Sequence, residues 1–174
     1  MFFANAMILA VLTFAPTSQQ YPGFEWNKKS ILRTDQPVEF PGIVLDAGVY
    51  VVRLKENGDR RSYVEVANQD ETQVLASFVA VPDHRLRPED NSEFTFHEVK
   101  AGEPRVVHSW FYTGDLVGLE FVYPNPRAKV IAKESDGAVM ASNSKDASIV
   151  AMTPNGTELM IDNPTVQTAR RKAQ

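Results

Sequence analysis

Apolar and polar residues alternate along much of the chain with a period of two, the pattern of a strand with one buried face. In Gly48–Lys55, Tyr50, Val52 and Leu54 fall on one face and Val51, Arg53 and Lys55 on the other. Asn57-Gly58 follows, a pair that tolerates positive φ and so favours a hairpin turn. Arg61–Asn68 then sets Val64 and Val66 against Tyr63 and Glu65. A second turn, NQDET, leads into QVLASFVAVP, an almost unbroken apolar run that suits a central strand covered on both sides. Beyond the polar loop DHRLRPEDNS come EFTFHEV, the turn KAGEP, RVVHSWFY, the turn TGD and LVGLEFVY. Upstream, SILRT and PVEF read as two short strands, with Pro37 and Pro41 restricting them to an edge. About seven to eight strands with short turns predict an all-β fold, a single antiparallel β-sandwich over residues 24–124.

Aromatic residues set the expected limit of that domain. All ten Phe, five Tyr and two Trp lie at or before Tyr123, which leaves residues 125–174 without the side chains that supply much buried area. Charge changes at the same point: residues 1–123 carry 11 basic and 17 acidic groups, residues 124–174 carry 7 and 5. The stretch from 125 onward is therefore expected to be a flexible, disordered polar tail with a short helix near Pro126–Lys133. At the other end, the apolar run Ala6–Leu12 is too short to span a membrane and fits the core of a secretory signal over residues 1–20. This places the protein outside the cytoplasm, in the periplasm or extracellular space.

A formal net charge of -4 argues against nucleic acid as a partner, and the absence of cysteine excludes disulfides, thiol catalysis and cysteine-bound metal. No phosphate-cradling glycine loop and no nucleophile elbow is present, so the reading leans away from an enzyme, and no cofactor is implied.

The ordered series PVEFPGIVLDAGVYVVRL, NQDETQVLASFVAVPDHRLRP, FTFHE and HSWFYTGDLVGLEFVYP resembles a family of uncharacterised, exported bacterial β-sandwich proteins across residues 30–124. The resemblance implies fold and export and supplies no catalytic residue.

Two candidate sites follow from the residues themselves. The stretch His108–Pro124 concentrates aromatic rings beside carboxylates, and the structural interior of a sheet accounts for most of it. If instead the rings are exposed, Trp110 and Tyr112 could stack on a sugar or peptide while Asp115 and Glu120 accept hydrogen bonds. Arg85 and Arg87 form a second, anion-clamping patch. This describes an exported binding or interaction module, with carbohydrate or an envelope protein as its partner, or else a structural envelope component. The alternative is a small metal-dependent enzyme in which His97 and His108, on consecutive strands, face each other and bind a metal with Glu120.

Overall fold

The structure, a computed structural model, describes residues 28–57, 61–143, 146 and 148–161. The signal-like run at the N-terminus and the loop after Asn57 lie outside the described residues. In chain order the elements are β1 (Lys29–Thr34), β2 (Val38–Phe40), β3 (Ile43–Leu45), β4 (Gly48–Asn57), β5 (Ser62–Asn68), β6 (Val74–His84), β7 (Glu93–His97), β8 (Arg105–Phe111), β9 (Val117–Phe121) and β10 (Tyr123–Pro124). Then come α1 (Asn125–Ser135), β11 (Val139–Ser142), β12 (Ile149–Met152) and β13 (Glu158–Met160).

The first nine strands join in one sheet, ordered β1-β4-β5-β6-β9-β8-β2-β3, with β7 also paired to β8. The all-β class expected from the alternation holds, with one continuous sheet carrying every strand that the pattern marked. β6 is central, as its apolar run requires, and pairs β5 on one side and β9 on the other. One expectation gives way at β2. This strand is not an edge: it pairs antiparallel with β3 and parallel with β8, because Pro37 and Pro41 stand just outside its ends and remove no ladder donor.

The sheet bends back on itself. Trp110 of β8 donates its indole N–H to Ser30 Oγ of β1 at 2.9 Å, although four strands separate the two in the sheet order. Inside the bend, Phe40, Phe78 and Phe121 from β2, β6 and β9 pack with ring centroids 4.7–6.0 Å apart.

The expected polar tail is instead structured through residue 161. Pro126 in the first turn suits a helix start, and Asp136 in the left-handed conformation (φ 51°) ends α1. Ala128, Ile131 and Ala132, spaced three and four apart, bury one helix face. β10 and β11 pair in parallel across the helix, and β12 and β13 extend a second sheet of four strands. All of β12 is buried, and so are Val139, Met140 and Ala141 of β11. Aliphatic and methionine side chains therefore do here what aromatics do elsewhere. The two sheets share one core, in which Ile131, Val139 and Val150 join Val64, Phe78 and Phe121. A part-buried ion pair fastens them: Arg127 of α1 gives Nε and Nη2 to the two oxygens of Glu39 in β2, each at 2.7 Å.

Candidate functional site at the β6–β9–β8 junction

Register dictates which side chains share a face, since residues directly opposite across a pair point the same way. Asp83 of β6 stands opposite Gly118 of β9, and Glu120 of β9 stands opposite Ser109 of β8. Asp83, Ser109 and Glu120 thus share one face of the main sheet, and all three are buried.

Plain alternation would send His108 to the other face, beside Trp110. A bulge prevents this. Phe94 and Phe96 of β7 pair with Trp110 and Val107 of β8, so three steps along β8 match two along β7. The extra residue turns His108 to the side of Ser109, a re-aiming that bulges commonly perform. His108 Nε2 comes to 3.3 Å from Glu120 Oε1. Ser109 Oγ donates to Asp83 Oδ2 at 2.6 Å, and the His84 N–H donates to Asp83 Oδ1 at 2.8 Å. One donor atom each from Asp83, His108 and Glu120 fits within 4.8 Å.

His97 of β7 adds a second imidazole. Its ring lies 4.4 Å from that of His108 and 6.3 Å from Tyr123, centroid to centroid. Burial holds the His97 pKa down to about 3, helped by the His108 charge and opposed by Glu120. The ring is accordingly neutral at ordinary pH.

Sequence reasoning placed His97, His108 and Glu120 in one set; the structure sets His108 against Glu120 and the His97 ring beside His108, while the donor atoms within 4.8 Å of one another are those of Asp83, His108 and Glu120. It did not include Asp83 in that set. Asp83 lies on β6, which meets β9 across a pairing that skips two intervening strands, so no local spacing announces it.

The aromatic–carboxylate set is dispersed. Trp110 is only 2% exposed and stacks against Phe94 at 6.2 Å, inside the core on the face opposite Glu120. No sugar can lie on that ring. Tyr112 is half-buried beneath Lys28, whose ammonium also pairs with Asp115. Arg85 is a clasp for the β8–β9 turn: it donates Nε to Asp115 O at 2.8 Å, Nη2 to Tyr112 O at 3.4 Å, and stacks 4.9 Å above Phe111. Phe111 in turn lies flat on Gly118, where a Cβ would come within 2.5 Å of the ring. Arg87 is exposed in the loop after β6.

Replacing Trp110 with Phe tests this placement. It removes the donor to Ser30 Oγ and part of a filled volume, and is expected to lower stability by about 1–3 kcal/mol. A urea titration that finds the variant as stable as the wild type would show the ring is not packed as described.

Comparison with family models, characterised proteins and solved structures gives no match. Among the described residues, no helix is long and apolar enough to cross a membrane.

Proposed function

We propose that this chain is a binding module whose ligand is a divalent metal ion, held by Asp83, His108 and Glu120. The observation that carries the reading is the convergence of three donor atoms from three adjacent strands within 4.8 Å, with both carboxylates buried. Two carboxylates so close repel each other when both are ionised, and burial away from water worsens the repulsion. A bound cation relieves both costs, and an imidazole beside two carboxylates is an ordinary donor set for one. Ser109 supports the set by fixing the Asp83 carboxylate, as an outer-shell hydrogen bond does in metal sites.

Export belongs to the same proposal, resting on the apolar run Ala6–Leu12 and the family resemblance. So does a sandwich-like description of the main sheet, supported by the bend that brings Trp110 to Ser30.

Chelator-stripped full-length protein, melted with Zn²⁺, Mn²⁺, Ca²⁺ or Mg²⁺, tests the reading. An ion at 100 times its Kd adds about 2.7 kcal/mol, which raises Tm by about 5–10 °C in a protein of this size. Glu120→Gln is expected to abolish the shift. If no ion moves the melt and none co-purifies, the proposal fails.

A further inference from the structure

Resting on that reading, we propose that the ion is a first-row transition metal and that His97 is its fourth ligand. The site would then be two imidazoles and two carboxylates, selective against Ca²⁺ and Mg²⁺.

Topology brings His97 there. β7 pairs with β8 on the flank away from β9, so donors would arrive from four strands: Asp83 from β6, His97 from β7, His108 from β8 and Glu120 from β9. His97 stands opposite Val106, past the bulge, and the extra residue in β8 sets His97 and His108 on the same face. The two rings are already in contact, at 4.4 Å between centroids and tilted by 41°. The donor atoms within 4.8 Å of one another are those of Asp83, His108 and Glu120, so the His97 imidazole would have to turn about its side-chain bonds to join them.

The donor chemistry sets the ion. Ca²⁺ takes six to eight oxygen ligands, and Mg²⁺ takes a near-octahedral oxygen shell with several waters. Two imidazole nitrogens displace oxygens from such shells without compensation. Zn²⁺, Co²⁺ and their neighbours accept nitrogen and carboxylate together, and four ligands complete a tetrahedral site for Zn²⁺. Two ionised carboxylates also balance the charge of the divalent ion. Asp83 keeps a defined orientation because both its oxygens accept hydrogen bonds, from Ser109 and from the His84 backbone.

The test uses full-length wild-type protein loaded with Co²⁺. Proton NMR in water should show two hyperfine-shifted, exchangeable imidazole N–H resonances, one for each bound histidine. A single resonance would overturn the assignment of His97 while leaving metal binding itself intact. Chelator competition supplies a second measurement: His97→Ala is expected to weaken Zn²⁺ binding by about 100-fold or more, at or beyond the upper end for losing a supporting residue. Equal Zn²⁺ affinity in His97→Ala, or Ca²⁺ binding as tight as Zn²⁺ in the wild type, would also overturn the inference. The NMR measurement needs no variant, so a misfolded His97→Ala does not decide the matter. If no ion binds at all, this inference falls together with the reading beneath it.

Discussion

A chain ending at Pro124 is expected to lose its cooperative fold. The deleted segment carries Ile131, Val139, Val150 and Met152, all buried in the core shared with the main sheet. Each contributes about 1.5–3 kcal/mol by burial, so the four together match much of the 5–15 kcal/mol that separates typical folded and unfolded chains. The cut also removes Arg127, leaving the Glu39 carboxylate buried without its forked partner. Breaking a fully buried pair from one side costs about 3–5 kcal/mol, and this one, with Arg127 partly exposed, costs less. Far-ultraviolet circular dichroism and a urea titration of residues 1–124 should show no sigmoidal transition. A truncated chain that melts like the full one would mean that the helix and second sheet are accessory to the core.

Acid should weaken the metal-free protein through His97. An exposed histidine titrates near pH 6.5, whereas burial and the neighbouring His108 charge hold folded His97 to about 3. Above both values neither state binds the proton and nothing is lost. Between them the unfolded chain takes up a proton that the folded chain refuses, so stability falls as pH falls, by about 1.4 kcal/mol per unit. Below pH 3 the loss levels off. Carboxylates and other histidines titrate in the same range, so the comparison is with His97→Gln. Urea midpoints between pH 7.5 and 4.5 should fall more steeply for wild type than for the variant, by about one proton's worth of slope. Parallel lines would place His97 in contact with water.

Most strands of the main sheet are legible in the sequence because a period-two pattern, or in β6 an almost unbroken apolar run, meets a recognisable turn. β3 is not: Ile43–Leu45 is three residues long, too short to display a period. The second sheet escapes for a related reason. Val139–Ser142 and Ile149–Met152 are four-residue strands, one of them buried at every position, and neither alternates. Aromatic content is a sound guide to where area is buried, but it misses a core closed by alanine, valine, isoleucine and methionine. At the site, His97, His108 and Glu120 stand out because neighbouring strands joined by turns must lie side by side. The bulge in β8 leaves no mark on the hydrophobic pattern, and Trp110, His108 and Tyr112 read along the sequence as one face when the folded strand divides them.

The grip of Arg127 on Glu39 spans 88 residues, and synthesis runs in one direction. A ribosome adding about 5–20 residues per second places those two groups about 4–18 s apart. For most of that interval β2 exists without β8, which pairs with it, and without the helix that grips it. Tyr123, whose hydroxyl donates to the carbonyls of Glu39 and Val107, arrives almost as late. The β8-facing side of β2 and the β9-facing side of β6 therefore wait as open edges, the form most prone to stray pairing. The main sheet is complete only after β8 and β9 are made, so shielding of those two open edges during the intervening seconds bears on the yield.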